Sequence, residues 1–297
     1  MTVDMRSFLQ QIKKTNDLFT VKKSVSVKYE IAAVTEKLDG SKAALFENIK
    51  GSKFKLVSNL VGSRDRFAQA IGSKKSDINQ KIVRAISSAK KPKISTTAKF
   101  FENSSRDISI LPIVTHFQNE SGPFITSSIV YTKNQEKKSQ NSSFHRLMPI
   151  GKRQFVIRMV EGRDLHRSFM FAKNHGDDLP IAITVGVHPA ISIACAFQAK
   201  WGKNELEIAN SLLNNKLTLT KCPSTGLLVP STSEIVMEGK ILRDKTHKEW
   251  MVEMLRTYDM PRPAPVIQIE KLYFRNNPIY HDILSGYSEA RLLMGIP

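Results

Sequence analysis

The chain has 297 residues, 41% of them apolar and 24% charged. That is the composition of a globular protein with room for two domains, or for one large core and an appended one. Its 45 lysines and arginines against 27 acids give a formal net charge of +18, a field that suits nucleic acid or a phosphate-bearing cofactor or substrate. The lysines are scattered and no basic run is interleaved with stacking aromatics, which counts against a dedicated nucleic-acid binder.

In chain order, Met5 to Ile12 has the spacing of a short amphipathic helix, with acid and amide groups around it where a signal peptide needs an apolar run. Phe19 to Ser26 reads as a strand and Glu30 to Lys37 as a helix. Ala43 to Asn48 is an apolar strand before a turn at Lys50 and Gly51, and Leu56 to Leu60 is a third strand. Ser63 caps a helix to Ile71. The alternation predicts an N-terminal α/β domain over residues 1–107. Within it, Ser73 to Thr97 is a lysine- and serine-rich surface excursion with a helix from Ile78 to Ala89.

Beyond residue 108 short strands dominate: Phe124 to Tyr131, Phe155 to Val160, Ile181 to Val187, Leu217 to Lys221, Glu234 to Glu238 and Val266 to Phe274. They suggest a barrel-like β domain over 108–297 and an α+β fold overall. The uncharged stretch Ile181 to Ala199 is broken by Gly186, His188 and Pro189, so it reads as a buried strand and a helix opened by proline, with no membrane span. Cys195 and Cys222 lack partners at metal-ligand spacing and read as buried free thiols of a cytoplasmic protein. Gly286 to Pro297 starts a helix and stops, the ending expected of a truncated copy.

Four segments carry residues suited to chemistry. Asn141 to Arg146, after the polar linker Lys133 to Gln140, holds an amide that can ligate a hard metal and an arginine that can grip a carboxylate at two points; a plain polar turn fits equally well. Glu205 opens a helix running to about Leu213, as a metal-bound carboxylate or as an acid favoured by the helix N-terminus. Glu234 and Glu238 share a strand face by their even separation, which reads as a solvated face. Glu249 and Glu253 bracket Trp250, Met251 and Val252. A glutamate held against apolar walls has a raised pKa and can act as a general acid; two exposed acids on an amphipathic helix fit as well.

In order and spacing these blocks resemble the UbiD family of decarboxylases over nearly the whole chain. Ala43 to Gly51 (AALFENIKG) and Asn59 to Gly72 resemble its N-terminal strands and helix. Asn141 to Arg146, with Arg158 and Arg163 to His166 behind it, resembles the cofactor segment. Lys221 to Gly239 (KCPSTGLLVPSTSEIVMEG) and Thr257 to Leu284 resemble two further blocks. The resemblance implies an N-terminal α/β domain and a split β-barrel that binds prenylated flavin mononucleotide (prenylated FMN). It also implies manganese, with potassium as a second cation.

By that resemblance Asn141 and Glu205 hold the metal, and Phe144, His145, Arg146, Arg158, Met159, Val160, Arg163 and Asp164 contact the flavin. Arg146 orients the substrate carboxylate and Glu253 donates the proton. The family's Glu-Gly-Pro-Phe-x-Asp/Glu motif is altered: counting back from Asp259 puts Lys248 at its first acid, while Glu249 has the right chemistry. The implied reaction is loss of carbon dioxide from an α,β-unsaturated acid through a flavin cycloadduct. The style of Thr257 to Asp259 and of Asn276 to His281 is similar to archaeal members that convert trans-anhydromevalonate 5-phosphate to isopentenyl phosphate in isoprenoid synthesis by a mevalonate route. The alternatives are a 4-hydroxybenzoate-type acid of quinone synthesis and an inactive truncated homologue. Implied partners are a flavin prenyltransferase that supplies the cofactor and further copies in a homo-oligomer.

Overall fold

The computed structural model describes residues 3–197 and 199–296. Helix α1 (Met5–Lys14) opens on a capping box: the Asp4 carboxylate accepts from the Ser7 amide at 2.8 Å, and the Ser7 hydroxyl accepts from the Asp4 amide at 3.1 Å. Met5, Phe8, Leu9 and Ile12 recur on one face and are buried. There follow β1 (Leu18–Val21), α2 (Glu30–Lys37), β2 (Ala43–Phe46), β3 (Lys55–Ser58), α3 (Arg64–Ala70) and α4 (Ile78–Ser87). As the sequence predicts, the Ser63 hydroxyl caps α3, accepting from the Arg66 amide at 3.3 Å.

After the short strands β4 (Lys93–Ser95) and β5 (Asn103–Ser105), the chain builds its largest sheet. This begins with β6 (Ile129–Asn134), β7 (Ser139–Phe144), β8 (Leu147–Pro149) and β9 (Gln154–Ile157), and continues after α5 (Asp164–Asn174) with β10 (Leu179–Val185). Helices α6 (Pro189–Cys195) and α7 (Glu205–Leu212) and the small strands β11 (Thr218–Lys221) and β12 (Leu228–Pro230) intervene. The long strands β13 (Ile235–Glu249) and β14 (Arg262–Phe274) complete it, and β15 (Ile279–Asp282) and α8 (Ser288–Gly295) follow.

The large sheet has eight strands in the order β7-β6-β10-β13-β14-β9-β8, with β5 paired on β14. Its ladders do not close into a complete ring, which is the sense in which the barrel is split. Its two ends, β7 and β8, are successive stretches of one chain, separated by His145 and Arg146 alone. The corner of the barrel is therefore a pair of chemically capable residues. β13 bends to follow it, with register shifts at Glu238/Gly239 and between Ile241 and Thr246. Gly239 is required at the first: a Cβ there would lie 2.1 Å from the Gln268 carbonyl oxygen.

A second sheet, β1-β2-β3-β15, takes its last strand from the C-terminal part of the chain, β15 pairing parallel to β3. A buried ion network strengthens the join. Glu234, fully buried, accepts from Arg6 of α1 at 2.7 Å through each oxygen, from Arg275 at 3.0 Å and from the Ile279 amide at 3.1 Å. Glu238 is buried as well, accepting from the Ser224 and Thr225 amides at 3.0 and 2.8 Å. The solvated strand face expected for these two acids is thus corrected: even spacing puts them on one face, and that face is inside.

Three further expectations change. Lys133 to Gln140 is mostly strand and turn, not linker, and Asn141 to Phe144 is strand. Trp250 to Asp259 is no helix but a small hairpin with a Val252–Tyr258 bridge. Helix α5 and strand β15 were absent from the sequence reading. Among the described residues no helix is long and apolar enough to cross a membrane, and both cysteines are free and buried.

Removing the buried Glu234 carboxylate takes away the bidentate partner of Arg6 and leaves Arg275 with Asp4 alone, at 3.1 Å. Glu234→Ala should lose at least about 2 kcal/mol of unfolding free energy. A denaturant melt showing a loss under about 1 kcal/mol would contradict this account of how the two sheets are joined.

Candidate functional site

The barrel corner borders a cavity of about 660 Å³, within the usual range for ligand pockets. Its lining includes Asn141, Phe144, His145, Arg146, Arg158, Val160, Arg163, Asp164, Glu205 and Glu253. Of the residues expected at the site, these ten converge. Met159 is instead buried in the hydrophobic core and does not line the cavity, as alternation along an extended chain requires when Arg158 and Val160 do. Glu249 lies just behind the lining, against Arg146.

Arg146 is the most heavily engaged side chain. Its Nε and Nη2 donate to the two oxygens of Glu249 at 3.0 and 2.9 Å, a bidentate pair, and Nη2 also donates to Asp259 at 2.9 Å. Burial alone would lower the guanidinium pKa, but the bonds and charges of Glu249 and Asp259 outweigh it and hold the pKa above the ordinary value. Asp259 mirrors this: burial raises its carboxyl, and Arg146, with Arg158 at 3.9 Å, brings it below the usual carboxylate range. Nη1 makes no hydrogen bond among the described residues; Glu253 approaches it at 3.7 Å.

The two residues between which counting could not choose lie in different surroundings. Lys248 is exposed on β13 and Glu249 is buried against Arg146. Glu253 differs from expectation, since its side chain is 53% exposed and apolar walls do not enclose it. The hairpin that carries it is fixed from outside. Ser121 exchanges backbone and hydroxyl bonds with Trp250, and Glu120 accepts from the Val252 amide at 3.1 Å. Arg256, at φ 60°, lays its guanidinium 4.0 Å from the Tyr287 ring centre.

Glu205, which lines the same cavity, opens α7, whose cap Asn204 accepts from the Leu206 amide at 3.0 Å. One Glu205 oxygen accepts from the Ser142 amide at 2.8 Å, which places the carboxylate beside Asn141. Burial pushes the Glu205 carboxyl up to about 8, and Asp164 adds to the rise against the opposing backbone bonds. Its other oxygen has no hydrogen bond among the described residues. An amide and a half-satisfied buried carboxylate in one cavity make a donor set suited to a hard divalent cation. Arg158 and Arg163 supply positive charge for a phosphate. The residues therefore fit a flavin phosphate and its metal.

His145 Nδ1 lies 2.9 Å from the Arg158 carbonyl oxygen and Nε2 3.0 Å from the Ser143 hydroxyl. A carbonyl only accepts, so Nδ1 carries the proton. Burial pushes the imidazole down to about 4 from 6.5, against the Arg158 bond. Asp259, Ser143, Glu120 and Ser121 were missed by the sequence reading. Only Ser143 had a local signal, its even spacing between Asn141 and His145.

The matching family models are the 3-octaprenyl-4-hydroxybenzoate carboxy-lyase N-terminal domain over residues 9–86 and the Rift-related domain of the same carboxy-lyase over residues 88–288. The anhydromevalonate phosphate decarboxylase of Methanosarcina mazei is 34% identical over 295 residues, 98% of this chain and 68% of that protein. Its namesake from Methanothermobacter thermautotrophicus is 31% identical over 234 residues, 78% of this chain but only 55% of that protein's length. An evolved dimeric form of the UbiD-class enzyme HmfF from Pelotomaculum thermopropionicum, solved in complex with prFMN, superposes with a TM-score of 0.97 at 33% identity, covering 99% of this chain and 70% of that one. Vanillic acid decarboxylase of Sedimentibacter hydroxybenzoicus, in closed form, gives 0.94 at 25% identity, covering 100% and 67%.

The unfolded chain protonates His145 near pH 6.5 and the folded one near 4, so the buried ring contributes a loss of stability as the pH falls through that window. Nitrogen-15 NMR of the imidazoles at pH 6 should find His145 neutral with its proton on Nδ1. A charged ring, or a proton on Nε2, would contradict the hydrogen-bond assignment.

Proposed function

The chain belongs to the UbiD family, and on that premise we propose that it is a carboxy-lyase that removes carbon dioxide from an α,β-unsaturated acid. The observation that carries the reading is that Arg146, backed by Glu249, and Glu253 line the same cavity as Asn141 and Glu205. Prenylated FMN, when bound, supplies the electron-accepting ring system that makes loss of carbon dioxide feasible. The chain's own residues place and charge the reactants.

Asn141 and Glu205 would hold Mn2+ against the flavin phosphate, with Arg158 and Arg163 offering further positive charge. Glu249 and Asp259 occupy Nε and Nη2 of Arg146, so its Nη1 donors remain for the substrate carboxylate. The two anions also keep the guanidinium fixed and charged. Glu253, half exposed on the hairpin beside that nitrogen, would deliver the proton to the carbon that has lost its carboxyl group.

The best-supported substrate is trans-anhydromevalonate 5-phosphate, giving isopentenyl phosphate in archaeal isoprenoid synthesis. Support comes from the names of the two archaeal relatives and from the small apolar wall of Met251, Val252, Met254, Ile283 and Leu293. The net charge of +18 suits a phosphorylated acid. A flavin prenyltransferase would furnish the cofactor in the cytoplasm.

Loaded with prenylated FMN and Mn2+, the purified chain should release carbon dioxide from trans-anhydromevalonate 5-phosphate and not from 4-hydroxybenzoate; the opposite preference would transfer the assignment to aromatic acids. Glu253→Gln should retain the flavin and lose turnover by at least about 100-fold. Full turnover in that variant would remove Glu253 from the proton-donor role, and a flavin-loaded chain inert toward both acids would overturn the decarboxylase reading.

A further inference from the structure

We infer that Ser143 and His145 are positioning residues that fix which atom of the Asn141 amide is offered to a cation; this rests on the metal reading above. Asn141, Ser143 and His145 lie at alternate positions where β7 runs into the barrel corner, so their side chains follow one another along one face. They are linked in a line. The Arg158 carbonyl accepts from His145 Nδ1 at 2.9 Å, His145 Nε2 lies 3.0 Å from the Ser143 hydroxyl, and Ser143 Oγ lies 3.1 Å from Asn141 Nδ2.

The directions are forced from the far end. The carbonyl has no proton to give, so the imidazole donates through Nδ1. The neutral ring then has only a lone pair at Nε2, and the Ser143 proton is committed to it. That leaves Ser143 Oγ as an acceptor toward Asn141, which the Nδ2 amide group satisfies. Turning the amide over would set Oδ1 against an oxygen whose only proton points elsewhere, two lone pairs facing each other at hydrogen-bond distance. The amide is therefore held with Oδ1 as its free atom, without a hydrogen bond among the described residues, beside Glu205 in the same cavity. An oxygen is what a hard cation takes; the amide nitrogen has no lone pair to give.

This makes the Arg158 backbone a remote determinant of metal affinity, through two side chains that need not touch the ion. The relation is that of outer partners orienting a ligand, whose loss commonly weakens binding by 10–100-fold.

A double-mutant cycle separates orientation from simple packing. Mn2+ is titrated into the protein holding FMN, and free Mn2+ is read by electron paramagnetic resonance. Ser143→Ala should weaken Mn2+ binding about tenfold with little change in thermal midpoint, and Ser143→Thr, which keeps the hydroxyl, should restore it. In an Asn141→Asp background, where either oxygen can ligate, Ser143→Ala should change affinity by less than about twofold. An equal loss in both backgrounds, or no loss in either while Asn141→Ala abolishes binding, would overturn the positioning role alone. If Asn141→Ala and Glu205→Gln both leave Mn2+ affinity unchanged, the metal reading fails and this inference with it.

Discussion

The clamp on Arg146 is the interaction on which the site depends. A guanidinium at the barrel corner, its side chain 15% exposed, is gripped at two atoms by Glu249 and at a third contact by Asp259. Those acids flank and close the Trp250–Asp259 hairpin, so Arg146 ties both of its ends together while Ser121 and Glu120 hold it from outside. Partly buried charges must be paired, and the pairing has a geometric by-product. With Nε and Nη2 engaged, the remaining donors belong to Nη1, the nitrogen nearest Glu253. Placement of the free guanidinium donors beside an acidic side chain thus follows from charge pairing.

The second constraint is the barrel's incomplete closure. β7 must leave its pairing with β6 and β8 must enter one with β9, and each of the two residues in between keeps a single backbone bond to one side: the His145 amide donates to the Ser128 carbonyl and the Arg146 carbonyl accepts from the Arg158 amide. Such a corner frees side chains for chemistry while both flanking strands hold them rigidly. Before the corner, alternation along β7 sets out Asn141, Ser143 and His145 in hydrogen-bond reach of one another. The amide of the intervening Ser142 fastens Glu205, from α7, beside them. Backbone geometry alone joins the metal-suited wall to the arginine wall.

Much of this was legible in the sequence because it is local. Alternation and caps placed α1, α2 and α3, and Pro189 opened α6 where expected, whereas the ten site residues that line one cavity were named by the family resemblance and not by local pattern. What stayed hidden depends on distant partners. The run from Lys248 to Asp259 has acids at helical spacing, yet its conformation is set by Ser121 and Glu120, some 130 residues earlier. Glu234 and Glu238 could be assigned to one face, but that the face is inside depends on Arg6 and Arg275. Counting back from Asp259 runs through the irregular hairpin, where neither strand nor helix spacing holds, so Lys248 and Glu249 could not be told apart from spacing. The parallel pairing of β15 with β3 has no local signature at all.

The central claim is spatial: Asn141 and Glu205 would hold one cation together with the phosphate of a bound flavin, in the cavity that Arg146 also lines. Anomalous diffraction at the manganese edge, from crystals grown with FMN and Mn2+, tests it directly. The account predicts one strong peak within coordination distance of Asn141 Oδ1 and a Glu205 oxygen. A peak elsewhere, with the flavin seated in the cavity and both side chains turned from it, would contradict it.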